Sequence, residues 1–182
     1  DHLKFILPGA DGQPVMRDYT PAAFDTTAGT LVLEFALHGS GAASDWARQA
    51  QPGQQVEVAG PRGSMVLPDG LDWQLLAGDA TALPAVQRRL AELPDSARGT
   101  VLLAVDAADR RPLPAPPGMQ LHWLDSDAAL ADALQAWAVP AGDGFAWCAG
   151  EAATMARLRA LLGAKGLPKE AMRVAAYWKR GA

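Results

Sequence analysis

Residues 73–84, Trp73-Gln74-Leu75-Leu76-Ala77-Gly78-Asp79-Ala80-Thr81-Ala82-Leu83-Pro84, decide the fold. An apolar run from Trp73 to Ala77 reads as a buried strand; Gly78-Asp79 breaks it, and a helix is expected from Leu83 to Leu93. The same grammar repeats downstream. Strands are expected at Thr100 to Val105, Gln120 to Leu124, Gly144 to Cys148 and Arg173 to Trp178. Helices are expected at Ala128 to Trp137 and Ala152 to Ala164, the last closed by Gly166 with Pro168 beyond it. Strands alternating with helices of this length imply a parallel sheet covered on both faces.

Upstream of Pro68-Asp69-Gly70 the chain reads as short strands and turns. Strands are expected at His2 to Leu7, Met16 to Thr20, Gln55 to Ala59 and Ser64 to Leu67. Leu31, Leu33, Phe35 and Leu37 alternate with Val32, Glu34 and Ala36, which predicts a strand with the first set on one buried face. Ser44 is the expected N-cap of a short helix over 45–49. Short strands joined this way suggest an antiparallel barrel, and the four to five strands before residue 70 are too few to close one. About fifty further residues upstream are therefore expected. The predicted division is residues 1–70, a partial barrel, and 71–182, an α/β domain.

The 182 residues are 49% apolar and 20% charged, a globular composition with a net charge of −4. No apolar run is long enough to span a bilayer, and the first residues lack the basic start of a signal peptide. A soluble, cytoplasmic protein without membrane insertion is expected. Cys148 is the sole cysteine, which excludes an internal disulfide and a cysteine-ligated cluster, and no metal site is expected. From Arg157 onward seven basic residues face one acid, Glu170. This basic end reads either as a solvated face and tail or as a docking patch; the acidic remainder argues against nucleic acid.

Arg17-Asp18-Tyr19-Thr20 closes a strand with an arginine, an aromatic ring and a hydroxyl, the groups that hold a phosphate, cover a ring system and meet a ring heteroatom. Alone it fits an ordinary half-exposed strand equally well. Its neighbours are Leu37-His38-Gly39, a Gly/Ala/Ser stretch from Gly41 to Ser44 opening onto a helix N-terminus, and Gly60-Pro61-Arg62-Gly63-Ser64. In the second half, Gly78-Asp79-Ala80-Thr81 and Cys148-Ala149-Gly150-Glu151 each end a strand before a helix. These turns could receive a nucleotide phosphate, or be tight turns with Thr81 as N-cap and Glu151 complementing a helix dipole. Cys148 could face a nicotinamide or be a small core residue. His2, His122 and the tryptophans at 73, 123, 137 and 147 read as structural. No hydrolase triad, carboxylate pair or P-loop is evident.

Taken in order, R-x-Y-T, L-H-G, G-x-A-S-x-W-A, G-P-R-G-S, L-A-G-D-x-T-A-L-P, W-C-A-G-E and Y-W-K-R-G resemble the siderophore-interacting proteins, the flavin-type ferric-siderophore reductases, over nearly the whole chain. The resemblance implies a ferredoxin-NADP reductase-like architecture: an antiparallel flavin-binding barrel followed by a parallel-sheet nicotinamide-binding domain. It implies FAD held by Arg17, Tyr19 and Thr20, with His38, Ala43 and Ser44 toward its pyrophosphate or adenine. NADPH or NADH is expected over Gly78, Asp79, Thr81, Ala149, Gly150 and Glu151, and a ferric siderophore near Arg62, Lys179 and Arg180. Some relatives are thought to take electrons from ferredoxin instead. The sequence departs from the family at Pro21-Ala22, where Pro-Arg is usual, at Ala42 for a proline, and at Ala80 for an acid. An NAD(P)H:flavin reductase and a non-catalytic siderophore- or flavin-binding module remain open alternatives.

Overall fold

The computed structural model describes residues 2–9, 12–37, 41–61, 66–67 and 70–181. The chain forms two compact units, Asp1–Leu67 and Pro68–Ala182.

The first unit holds β1 (Leu3–Pro8), β2 (Pro14–Tyr19), β3 (Pro21–Asp25), β4 (Thr30–Leu33), α1 (Ala42–Gln49) and β5 (Glu57–Ala59). They make a three-stranded antiparallel sheet, β2-β1-β5, and a hairpin, β3-β4; the described residues close no barrel. Leu3, Phe5 and Leu7 alternate on the buried face of β1, and Tyr19, Phe35 and Trp46 pack their rings around Phe5. Burying a side chain such as Phe5 stabilises the unit by about 1.5–3 kcal/mol.

Several local expectations need correction. The strand expected over 31–37 stops at Leu33, and Leu31 and Val32 are exposed; only Leu33 and Phe35 join the apolar cluster. Its partner β3 was not foreseen. The turn between them is set by Asp25, whose carboxylate accepts the Thr27 and Ala28 N–H groups. Those N–H groups, Ala28 foremost, hold the Asp25 carboxyl below its ordinary range. Ser44 is not an N-cap: α1 starts at Ala42 with Gly41 as N-cap, because the Asp45 carboxylate reaches back to the Gly41 N–H and Ala43 and Ser44 turn into the interior. Of the strand expected over 64–67, residues 64 and 65 lie outside the described residues, and Val66 and Leu67 are not in a strand.

The second unit runs β6 (Trp73–Asp79), α2 (Leu83–Glu92), β7 (Arg98–Ala104), β8 (Gly118–Leu124), α3 (Asp127–Ala136), β9 (Gly144–Glu151), α4 (Ala152–Ala164) and β10 (Met172–Trp178). All five strands are parallel, in the order β10-β9-β6-β7-β8. Alternate residues serve opposite faces. Leu75, Ala77, Ala146 and Cys148 pack under α3 and α4, whereas Leu76, Val101 and Leu103 pack under α2. Glycine at 144 is required by packing, since a Cβ there would fall within the Trp73 ring. Trp137 meets Trp73 edge-on and donates its indole N–H to Thr100 Oγ1. No helix of the described residues is long and apolar enough to cross a membrane.

Leu158 is fully buried on the inner face of α4. Leu158→Ala should destabilise the second unit by about 2–5 kcal/mol in equilibrium urea unfolding. A midpoint and slope equal to wild type would show that α4 does not cover the sheet.

Candidate functional site

In the first unit, register places the Arg17, Tyr19 and Val15 side chains of β2 opposite Phe5, Leu3 and Leu7. Directly opposed residues share a face, so Arg17 lies on the inner face, among the apolar set, while Lys4 pairs with Asp18 on the outer face. Arg17 is nevertheless exposed and its Nη1 donates to the Met16 carbonyl at 2.9 Å. A cation on the apolar side that remains open to solvent is suited to an anionic group entering from that side. Tyr19 is half-buried against Phe35, ring centroids 4.5 Å apart. Burial raises its phenol pKa, opposed by the charge of Arg17. Thr20 follows, half-buried.

Arg17, Tyr19 and Thr20 are thus contiguous at one strand end. Ala43 and Ser44 sit in α1 with their side chains buried, Ala43 against the β1 leucines, so any contact they make to a ligand falls to the backbone. His38 and Arg62 lie outside the described residues.

In the second unit the strand order reverses between β6 and β9: the chain leaves β6 for a helix on one face and β9 for a helix on the other. Open α/β sheets bind ligands at the carboxyl edge beside such a switch point. Here that edge carries Gly78, Asp79, Thr81, Ala149, Gly150 and Glu151 together. Asp79 is buried and its carboxylate is fully engaged. Oδ1 accepts the Thr81 N–H at 2.9 Å and its hydroxyl at 2.5 Å; Oδ2 accepts the Glu151 N–H and the Trp178 indole N–H, both at 2.8 Å. Gly150 must be glycine, because its φ is 153° and a Cβ would stand 2.5 Å from the Asp79 carboxylate.

Glu151 caps α4, accepting the Ala153 and Thr154 N–H groups through Oε2, and its Oε1 accepts the Arg180 backbone N–H at 3.3 Å. The Thr154 N–H lowers the Glu151 pKa most; burial opposes it, and the Arg180 and Ala153 N–H groups and the Arg180 charge add to the lowering. Thr81 is not the N-cap of α2, which starts after Ala82 with no side-chain cap; Asp79 instead caps the short 3₁₀ turn over 80–82, and the helix N–H groups of Ala153 and Thr154 are already occupied by Glu151. Ala149 is wholly buried, leaving its backbone as the part that can meet a ligand. Cys148 lies in the core under α3 and α4, and burial pushes its thiol up to about 12 against the charge of Arg159. It is a core residue, not a group facing a ligand.

Two clefts open along this edge. One of 340 Å³ is lined by Asp106 from the end of β7, Asp125, Asp127, Trp178 and Arg180. The other, 590 Å³, is bounded by Asp127, Glu151, Thr154, Lys179 and Arg180. Asp127 was not singled out, and Trp178 entered only within Y-W-K-R-G, without its bond to Asp79. No local signal joins Trp178 to a carboxylate 99 positions away.

The basic end is not one patch. Arg157 pairs with Asp132, Arg159 donates to the Val174 carbonyl, and Lys165 donates to the Gln135 and Trp137 carbonyls at the end of α3. Arg180 pairs with Asp127 at 3.4 Å yet is 75% exposed, and Lys179 is exposed beside it. Among the described residues no group of His, Cys, Asp or Glu could hold a metal ion.

Antiparallel sheets ahead of a doubly wound parallel sheet with a carboxyl-edge switch point make a ferredoxin-reductase-like fold. The family description "siderophore-interacting protein" matches residues 71–181, and "siderophore-interacting FAD-binding domain" matches residues 3–65. The chain belongs to the siderophore-interacting protein family. An NADPH-dependent ferric-chelate reductase of Escherichia coli is 38% identical, over 98% of this chain and 79% of the relative. The ferric vibriobactin reductase ViuB of Vibrio cholerae is 33% identical, over 98% and 69%. A crystal structure of a siderophore utilization protein from T. fusca superposes with a TM-score of 0.89 at 36% identity, covering 100% of this chain and 80% of that one.

The depressed folded pKa of Glu151 sets a pH dependence. Its ionised form stabilises the fold above the unfolded value of 4.5, and that contribution fades as pH falls through the lower folded value. Glu151→Gln should therefore lower urea stability at about pH 7 and by a smaller amount at about pH 3.5. An equal loss at both would show that its charge has no part. Cys148 in the native protein should resist an aromatic disulfide reagent at about pH 8 and react on unfolding; fast labelling of the native protein would place the thiol at the surface.

Proposed function

We propose that the chain is the flavin- and nicotinamide-binding part of a ferric-siderophore reductase acting in the cytoplasm, with NADPH or NADH as donor and a ferric siderophore as acceptor. What carries this reading is that relatives matched over nearly the whole chain are themselves ferric-chelate and ferric vibriobactin reductases. The geometry adds an exposed arginine on the apolar face of the unit that matches the FAD-binding family.

Bound FAD supplies the chemistry that a protein side chain cannot, accepting two electrons together and passing them on one at a time. The residues supply binding and orientation. Arg17 holds a cofactor phosphate by charge-assisted hydrogen bonds, while Tyr19 and Thr20 border the ring system. In the second unit the turns at Gly78–Thr81 and Ala149–Glu151 would hold the nicotinamide dinucleotide. Asp79 and Glu151 act there through the turns they fix, since their oxygens are committed to N–H and hydroxyl donors. Lys179 and Arg180 dock the anionic ferric complex; an exposed pair such as Arg180–Asp127 is weak enough to yield to a polyanion. Ferrous iron is held poorly by siderophores, so reduction releases it.

Anaerobic bleaching of the bound flavin by NADPH or NADH, followed by reoxidation with a ferric siderophore, tests the whole reading. A flavin that bleaches but is not reoxidised by the ferric complex would favour a general flavin reductase, and a protein purified without flavin would favour a binding module. Arg17→Ala should weaken FAD by about 1.5–3 kcal/mol, measured by flavin fluorescence on dilution; unchanged affinity removes Arg17 from the site. Replacing Lys179 and Arg180 together by Ala should slow reoxidation by an anionic ferric siderophore, most at low ionic strength. Equal rates in variant and wild type at low salt would place docking elsewhere.

A further inference from the structure

The last strand of the sheet does not end free. Beyond Val174 the segment is held at two points by acids from other strands: the Trp178 indole N–H donates to Asp79 Oδ2 at 2.8 Å, and the Arg180 backbone N–H donates to Glu151 Oε1 at 3.3 Å. Between these anchors lies Lys179. The Arg180 guanidinium stands 5.9 Å over the Trp178 ring. Both anchors are themselves immobilised: Asp79 by three further donors from Thr81 and Glu151, and Glu151 by the first turn of α4. The two acids thus hold the Trp178 side chain and the Arg180 backbone N–H, flanking Lys179, where Lys179 and Arg180 bound the 590 Å³ cleft.

We propose that Asp79 and Glu151 are positioning residues for the ferric complex: by clamping Trp178 and Arg180 they hold Lys179 and Arg180 in a preset arrangement at the carboxyl edge. The inference rests on the docking role given to those cations above. On a free tail, ordering the backbone that carries the two cations would be charged against docking; on a clamped segment that part of the ordering is completed when the chain folds, and the encounter keeps more of its electrostatic gain. The clamp also explains why two acids at the switch point turn their oxygens toward protein N–H groups.

The test uses the holoprotein, reduced in advance so that the nicotinamide step does not enter, and follows flavin reoxidation by an anionic ferric tris-catecholate in stopped flow, with the half-saturating concentration of the complex read as KM and the limiting reoxidation rate as kcat. Trp178→Phe keeps an aromatic ring and both cations but removes the donor to Asp79. It should raise the KM for the ferric complex about three- to tenfold, the effect of one hydrogen bond, with kcat close to wild type. Made in a chain already carrying Lys179→Ala and Arg180→Ala, the same substitution should add nothing to KM, because it acts through the cations. An equal rise in both backgrounds, or a fall in kcat with no change in KM, would overturn the proposal and leave the clamp a purely structural contact. If the Lys179/Arg180 double variant itself docks the complex as wild type does, the docking reading fails first and the proposal with it. Glu151→Ala, which removes the acceptor for the Arg180 N–H, provides a second variant, and hydrogen exchange at the C-terminal segment should quicken in it; unchanged exchange and unchanged KM there would also overturn the proposal.

Discussion

Four hydrogen bonds converge on the buried carboxylate of Asp79, and the carboxyl edge of the second unit is organised by them. A buried carboxylate is costly unless each of its oxygens is satisfied, so its presence dictates what surrounds it. The turn after β6 must curl to present the Thr81 N–H and hydroxyl. The β9 end must approach with the Glu151 N–H, which only glycine at position 150 permits, and β10 must continue far enough to deliver an indole. One side chain thereby ties three strand ends at the place where the topology leaves a crevice.

The second unit was largely legible in the sequence because its central strands, β6 and β9, are buried on both faces and its helices carry ordinary stop signals. The span Ala152–Ala164 follows from Gly166 and Pro168 beyond it, and each of the five expected strands is present with ends moved by a few residues. The first unit was less legible. The alternation from Leu31 to Leu37 has a strand's period, yet β4 has only β3 beside it, and pairing ends where that partner ends. The hairpin turn rests on the Asp25 carboxylate and on Gly29, whose φ is 65°, so its signal is an Asp and a Gly four residues apart, weaker than an adjacent Asn-Gly or Asp-Gly pair. At α1, Ser44 is a favourable cap by type, but Asp45 and the apolar side of the helix decided the start.

Of the candidate sites, sequence proximity revealed Arg17-Asp18-Tyr19-Thr20 as a unit, and strand ends grouped 78–81 with 148–151. What it could not show is the use each acid makes of its oxygens. Asp79 and Glu151 belong to turns that resemble phosphate-receiving turns, and they fill those turns with their own carboxylates. The Trp178–Asp79 bond joins residues separated by most of the unit, so no local pattern contains it. The seven cations from Arg157 onward look alike in composition. Structure separates those spent on carbonyls and helix ends, Arg159 and Lys165, from those left at the surface.

Gly144 and Trp73 carry a consequence for how this sequence can change over generations. The indole occupies the volume that any side chain at 144 would need, so the two positions form a single heritable unit. A lineage that acquires even alanine at 144 must first shrink the residue at 73, and a lineage that loses the tryptophan opens a void and leaves Trp137 without its edge-on neighbour. Drift at this end of the sheet should proceed by paired replacements, visible among descendants as covariation between 73 and 144 with 137 following.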